Sequence, residues 1–145
     1  GAKKADVFGK PSLKGDVTSP DNLFKFQAMV MRELAEQEPC VFVGRAAGYV
    51  LDQDEEIENL VRIFVYADRV RRVQRVMEVD CISEERAKKR IRKIENERKN
   101  YYKCFTGNDW KNMKNYDLPI NTTRLGLDET AELIKEYVKL RGYMK

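Results

Sequence analysis

Arginine side chains that can bind phosphate groups are the most promising chemical residues in this chain. Arg72 and Arg75 belong to one basic stretch, and Arg92, Glu95 and Arg98 follow at intervals of three residues. A guanidinium group offers a planar set of N–H donors that matches the oxygens of a phosphate group. The three-residue interval places Arg92, Glu95 and Arg98 on one face of a predicted helix, where the arginines could bind an anionic ligand. Ion pairs within that helix are a competing interpretation.

The absence of histidine narrows the chemistry further. None of the 145 residues is histidine, which excludes the usual general base, Ser-His and Cys-His nucleophiles and most transition-metal sites. Cys40, Cys81 and Cys104 form no C-x-x-C pair, which argues against a disulfide framework or a zinc site and favours a reducing cytoplasm. Catalysis would depend on arginine, lysine, carboxylates or a bound hard cation.

Positive charge is concentrated in one segment. Residues 68–103 contain 13 Lys or Arg against 7 Asp or Glu, although the whole chain carries only +4. Such a segment can clamp a polyphosphate or contact a nucleic-acid backbone, and a solvated helix face is the simplest alternative. Interleaved acidic residues argue against nucleic acid as the partner, and no apolar run is long enough for a membrane span.

The first part of the chain predicts one irregular segment and one helix. Residues 1–18 have no sustained periodicity. Ser19 is a suitable N-cap and Pro20 suits the first helical position, so an amphipathic helix should run from there to near Pro39.

Two short apolar runs predict strands. Residues 40–43, closed by Gly44, are typical of a central parallel strand buried on both faces. Residues 63–67 lead to Asp68, a plausible N-cap for a helix that ends near residue 79.

The rest of the chain continues the alternation of helices and strands. Ser83 should begin a long basic helix that ends near Cys104, followed by a short strand at 118–122. Asp128 is a candidate cap for a last helix, and Gly142 lies just past its end. Together these elements predict a single α/β domain with a parallel sheet.

In such sheets, ligands bind beyond the carboxyl ends of the strands. This directs attention to Arg45, to residues 68–75 and to residues 121–123. Taken alone, Arg45 beside Gly44 is as well explained by a turn glycine next to a surface arginine.

Three segments carry a family resemblance. In chain order they read SPDNLFKFQAMVMRELAEQEPCVFVGRAAGYVL, VRIFVYADRVRRVQRVM and ISEERAKKRIRKIENERKNYYKCFTGNDWKNMKNYDLPINTTRLGLDE. In this order they resemble the cytidylate-kinase-like family of P-loop nucleoside-monophosphate kinases. The resemblance covers nearly everything after residue 18, and its most specific part runs from ENERKNYYKCFTGNDW to NYDLPINTTRLG. It implies a P-loop kinase-like parallel sheet flanked by helices, with a mobile, basic helical lid at about residues 69–103.

The resemblance also implies an activity: transfer of the γ-phosphoryl group of ATP, bound with Mg²⁺, to a nucleoside monophosphate. Positioning and charge neutralisation would drive this reaction, so histidine is not required. Arg45 occupies the position of the arginine in the family's GR motif, which contacts the monophosphate. Arg72 and Arg75 match arginines at the base of the lid that reach the phosphates of the donor.

Glu95 and Arg98 match, with Glu in place of Asp, a pair that contacts the ribose and phosphate of the acceptor. Arg92 shares their helical face and is included among the substrate-binding candidates. By the same resemblance, the candidate catalytic residues are Arg72, Arg75 and Arg98. Ala46 stands where cytidylate kinases have an aspartate that helps to recognise the base. The resemblance therefore leaves open which monophosphate is accepted.

The phosphate-binding loop of this family is missing from the sequence. A P-loop requires G-x-x-x-x-G-K-[ST], whereas Gly9 and Lys10 are followed by Pro11 and no segment fits. The family carries this loop on its first strand, so we expect both to lie upstream and expect no phosphate transfer by the 145 residues alone. The alternative is a catalytically inactive relative that keeps a nucleotide- or anion-binding pocket and has a regulatory role.

Overall fold

The computed structural model describes residues 6–144, which form five α-helices, one short 3-10 helix and a two-stranded parallel sheet. These residues divide into two compact units. Unit 1 contains the described residues up to Leu60 and Lys99–Asn115, and unit 2 contains Val61–Arg98 and the chain from Tyr116 onward. No helix within residues 6–144 combines the length and apolar character that a membrane span requires. The prediction of an irregular start is met by turns and bends at residues 6–18, while residues 1–5 lie outside the described part.

Unit 1 begins with the predicted amphipathic helix. Helix α1 covers Pro20–Gln37, and the Ser19 hydroxyl oxygen accepts a hydrogen bond from the Asn22 backbone N–H at 3.3 Å. This is the N-cap arrangement that the sequence indicated, with proline at the first helical position. The short helix α2, Ala47–Asp52, follows α1 and packs against it.

Aromatic rings hold the core of unit 1 together. Phe24 of α1 stacks in parallel on Phe105, with ring centroids 4.4 Å apart. Val7, Ala28 and Val50 are buried in the same cluster. Burying each large apolar side chain contributes about 1.5–3 kcal/mol, so this cluster is the main stabilising feature of the unit.

The predicted strand at residues 40–43 is wrong. These residues adopt no regular structure, and the side chains of Val41 and Val43 are 92% and 91% exposed. A strand requires a neighbour that accepts its backbone hydrogen bonds and covers its side chains. No strand formed by the described residues lies beside this segment, so its apolar pattern is not expressed as a strand.

The sheet belongs to unit 2 and has the predicted parallel direction. Strand β1 covers Ile63–Tyr66 and strand β2 covers Leu118–Asn121, with Ile63 opposite Leu118. At the start of the strands, the Arg62 backbone N–H donates to Asp117 Oδ2 at 2.7 Å, and the Arg62 guanidinium donates to both carboxylate oxygens. Burial alone would raise the pKa of Asp117, but the hydrogen bonds and charge of Arg62 outweigh it, so the pKa is lowered.

Two basic helices follow β1 as predicted. Helix α3 covers Arg69–Asp80 and helix α4 covers Glu84–Thr106, whose last residues belong to unit 1. Val73, Ala87 and Ile91 form a small buried cluster between them. The helices predicted for residues 69–103 are therefore present, and their role as a lid stays a prediction.

The last helix, α5, covers Leu127–Leu140. Its N-cap is Gly126 rather than the predicted Asp128, which lies in the first turn. Gly126 has a φ of 86°, a conformation that glycine adopts without a steric penalty, so the helix begins earlier than the acidic residue suggested. Gly142 follows the end of α5 with a φ of 82°, as expected for a helix terminator.

Candidate functional site

A cavity of about 200 Å³ lies at the carboxyl ends of β1 and β2 in unit 2. Four arginines line it: Arg71, Arg72, Arg75 and Arg124. The other lining residues come from the ends of the strands and the start of α5, namely Ala67, Thr122, Thr123, Leu125, Gly126 and Leu127. The sequence placed a ligand site at this edge of the sheet, and the cavity agrees with that prediction.

Polar side chains fasten the strand ends that carry the cavity. The Thr122 backbone N–H donates to the Tyr66 carbonyl at 2.8 Å, and the Asp68 N–H donates to Thr123 Oγ1 at 2.7 Å. The Asp68 carboxylate accepts from Asn121 Nδ2 at 3.0 Å. Asp68 is the residue that precedes α3, as predicted, but its side chain bonds to Asn121 instead of capping the helix. These bonds fix the first turn of α3, which carries Arg71 and Arg72, against the end of β2.

The electrostatics of the cavity favour an anion. No acidic residue within the described part of the chain lines it, and the hydroxyl-bearing residues Thr122 and Thr123 are the uncharged polar groups of its wall. Guanidinium groups around one small volume repel each other unless negative charge is close, and the Glu95 carboxylate pairs only with Arg72. Each can donate charge-assisted hydrogen bonds to phosphate oxygens, so the arrangement suits a polyphosphate.

Arg72 lines the cavity and also contacts α4. Its guanidinium forms an ion pair with Glu95, and its Nε is buried without a hydrogen-bond partner among the described residues. Glu95 is half-buried, so the ion pair is partly shielded from water. Thus two of the predicted site residues, Arg72 and Glu95, lie together in unit 2.

The other two predicted site residues of α4 are more exposed to solvent than Glu95. Arg92 and Arg98 are exposed, and neither lines the arginine cavity. Both side chains are accessible to a ligand, and their roles stay predictions. Arg75, by contrast, lines the cavity beside Arg72, as the predicted contact with donor phosphates requires.

Unit 2 contains a second, larger cavity of about 410 Å³ between α3 and the start of α4. Its wall is mainly apolar and includes Val70, Val73 and Met77. Its charged residues are Arg69, Glu84 and Lys88, and Glu84 and Lys88 pair with each other at 3.0 Å. The smaller cavity is therefore the better candidate for a phosphate ligand, because its charges are all of one sign.

Arg45 lies in unit 1 on an unusual turn. Gly44, Arg45 and Ala46 have φ angles of 75°, 56° and 54°, three consecutive residues in the left-handed region. Only glycine adopts this region readily, so the conformation of Arg45 and Ala46 is strained. The turn is anchored by α2, whose residues Ala47 and Val50 are buried.

The side chain of Arg45 is exposed and lies over the ring of Tyr101, with the guanidinium carbon 5.4 Å from the ring centroid. The Tyr101 hydroxyl donates to Gln27 Oε1 at 3.1 Å, and its ring packs at a tilt against Phe105. Burial raises the pKa of Tyr101, and the neighbouring charge of Arg45 partly opposes this.

Sequence reasoning did not select three residues of these sites. Arg71 and Arg124 line the cavity but were not chosen, although Arg124 comes three residues after β2 ends, where ligand-binding residues are expected. The ring of Tyr101 lies against the Arg45 guanidinium, and neither the type of this residue nor its spacing in the sequence indicated that contact.

The described residues offer no ready metal site. Nowhere in residues 6–144 do three or more His, Cys, Asp or Glu side chains come together in a way that would hold a metal ion. The Mg²⁺ that the family resemblance implies for ATP has no preformed carboxylate cluster in this part of the chain.

Comparison with known proteins identifies the family. Residues 2–124 match the model of the cytidylate kinase-like family. A curated relative, the cytidylate kinase of Methanopyrus kandleri, is 32% identical over 110 residues, which cover 72% of this chain and 56% of the relative. The crystal structure of an uncharacterized protein from Eubacterium ventriosum has a TM-score of 0.72 at 25% identity, covering 86% of this chain and 65% of that one. The chain thus spans little more than half of the curated relative, and it belongs to the cytidylate kinase-like family.

Proposed function

We propose that the complete protein is a nucleoside-monophosphate kinase that transfers the γ-phosphoryl group of ATP to a nucleoside monophosphate. The observation that carries this proposal is the arginine cavity at the carboxyl ends of β1 and β2, in a chain of the cytidylate kinase-like family. Phosphoryl transfer depends mainly on positioning the reactants and on neutralising phosphate charge. Arginine side chains can do both.

The cavity is proposed to bind part of the donor nucleotide. Its volume of about 200 Å³ is below the 300–1,000 Å³ that is typical of pockets that enclose a whole ligand. The remainder of ATP would therefore extend outside it. Arg72 and Arg75 are proposed to contact the donor phosphates, and Arg71 and Arg124 add positive charge to the same wall.

The acceptor residues follow from the family resemblance. Arg45 is proposed to bind the phosphate of the monophosphate, and Glu95 and Arg98 are proposed to contact its ribose and phosphate. Arg92 is proposed as a further substrate contact on the same face of α4. In the transfer itself, an acceptor phosphate oxygen forms the new bond to the γ-phosphorus while the bond to the β–γ bridging oxygen breaks, releasing ADP.

The catalytic P-loop is proposed to come from chain outside these 145 residues. The relative from M. kandleri is matched over only 56% of its length, which leaves room for such a segment. Without a P-loop, the same cavity would support only the alternative function, an inactive relative that binds a nucleotide or another anion.

The test is an activity assay on the complete protein encoded by the gene, after its intact mass has been measured. ATP is supplied with CMP, UMP, AMP or GMP, and formation of ADP and of the nucleoside diphosphate is followed. We expect one or two of the monophosphates to be phosphorylated, with one ADP formed for each nucleoside diphosphate. An intact mass of 17.0 kDa together with no diphosphate from any acceptor would contradict kinase activity and leave the inactive relative.

A further inference from the structure

The turn that carries Arg45 fixes its backbone but not its side chain. Three consecutive left-handed residues, Gly44 to Ala46, set the direction in which the Arg45 side chain leaves the chain. A free arginine side chain still has four rotatable bonds, and ordering it on binding costs up to about 2 kcal/mol. The backbone of Arg45 is therefore ordered before a ligand binds, whereas its exposed side chain still needs a contact that orders it.

Tyr101 supplies the missing restraint. Its ring lies under the Arg45 guanidinium at 5.4 Å, within the range of cation–π attraction. This attraction engages the guanidinium through its charge, and a hydrogen bond between the Arg45 and Tyr101 side chains engages only part of its five N–H donors. The restraint thus leaves other N–H donors of Arg45 for phosphate oxygens.

Tyr101 is itself held in place from two sides. Its hydroxyl donates to Gln27 of α1 at 3.1 Å, and its ring centroid lies 4.8 Å from that of Phe105. Phe105 is buried and stacks on Phe24. A chain of contacts therefore connects the aromatic core of unit 1 to the Arg45 side chain.

We infer that Tyr101 is a positioning residue that orders the Arg45 guanidinium for the phosphate group of the acceptor, with Gln27 fixing the ring of Tyr101. This inference rests on the proposed function, in which Arg45 binds a monophosphate. It predicts that Tyr101 and Arg45 act as one unit in acceptor binding, whereas a tyrosine that only stabilises the core would act independently of Arg45.

The experiment is a double-mutant cycle on monophosphate binding, measured by calorimetry on the complete protein with whichever of CMP, UMP, AMP and GMP binds the parent most tightly. Tyr101→Leu is expected to weaken this binding about tenfold in the parent protein and less than about twofold in an Arg45→Ala background. Tyr101→Phe keeps the ring but loses the bond to Gln27, so a loss of about two- to threefold is expected. Equal losses with and without Arg45, or no loss in a folded Tyr101→Leu protein, would overturn the inference.

A ligand-free readout separates this inference from the proposed function. The Nε–H resonance of Arg45 should carry a ring-current shift in the parent and in Tyr101→Phe, and the shift should disappear in Tyr101→Leu. If the shift is present but the parent protein binds none of CMP, UMP, AMP and GMP, the proposed acceptor role fails and the positioning role fails with it. If one of these monophosphates binds but no shift is seen, the proposed function stands and the inference is overturned.

Discussion

The arginine cavity of unit 2 and the Arg45 turn of unit 1 hold their guanidinium groups by different means. In the cavity, hydrogen bonds between strand ends fix one helix turn, and four arginines share the wall. At the turn, one arginine leaves a strained left-handed backbone and is held by a single aromatic ring. We therefore expect ligand binding in the cavity to tolerate the loss of one of its four arginines. Loss of Arg45 should be more severe, because it is the one arginine carried by the turn.

Arg98→Ala in the complete protein gives the largest expected effect and tests an arginine outside both arrangements. Removing a donor that acts in the transition state costs about 100- to 1,000-fold in kcat. The exposed Arg98 side chain should leave the fold intact. Steady-state kinetics and thermal unfolding check both statements, with exposed Arg86→Ala as the matched control. Kinetics equal to those of the control would remove Arg98 from the site.

Arg45→Ala should reduce kcat/KM for the monophosphate about 100-fold, because a charge-assisted contact to the acceptor is lost without a replacement. The KM for ATP should stay within about twofold, since the donor is proposed to bind in unit 2. A rise in the KM for ATP as large as the loss in kcat/KM would break the distinction between the two regions.

Arg124→Ala should have a smaller effect, raising the KM for ATP about tenfold, because Arg71, Arg72 and Arg75 remain in the wall. Replacing Arg124 and Arg75 together should raise the KM for ATP by more than the product of the two single effects, because each arginine compensates in part for the loss of the other. Initial-rate measurements at varied ATP test this. A single variant that abolishes ATP use would show that the cavity charge is not shared.

Asp117→Asn tests the opposite end of the sheet, away from the cavity. Because Arg62 lowers the pKa of Asp117, the charged carboxylate stabilises the folded state at neutral pH. The substitution should cost about 1–2 kcal/mol at pH 7. This advantage is present above the ordinary pKa of 3.8 and is lost as the pH falls through the lowered value. Urea unfolding should therefore show the two proteins converging in acid, and a constant difference would contradict the role of the charge.

Ala46→Gly gives the smallest effect and tests the strain at the Arg45 turn. Glycine relieves the left-handed conformation but adds freedom to the unfolded chain, so a net gain of about 0.5 kcal/mol in the free energy of unfolding is expected. The neighbouring Ala47→Gly, inside α2, should instead destabilise by about 0.5–1 kcal/mol. If both substitutions destabilise equally, the turn is not strained.

Local signals explain what the sequence could predict. The start of α1 was predicted correctly because Ser19 and Pro20 act within one turn of the helix. The parallel pair of β1 and β2 followed from two short apolar runs separated by helices. Residues 40–43 carry the same kind of apolar run, but a strand also needs a neighbour, and that requirement is not local.

The site was predicted in part for the same reason. Arg72 and Arg75 were found because a resemblance marks them and because they follow a strand. Glu95 was predicted to contact the acceptor, and its ion pair with Arg72 joins residues 23 positions apart, which spacing within α4 could not indicate. The ring contact between Arg45 and Tyr101 depends on the packing of Phe105 in the core.

The most direct test of the two-region account is a titration of the complete protein with ATP and then with CMP, following the Nε–H resonances of individual arginines. The account predicts that ATP shifts the signals of Arg71, Arg72, Arg75 and Arg124, and that the accepted monophosphate, with CMP as the first one tried, shifts the signals of Arg45, Arg92 and Arg98. If both ligands shift the same arginines, or if ATP leaves the four cavity arginines unchanged, the account is contradicted.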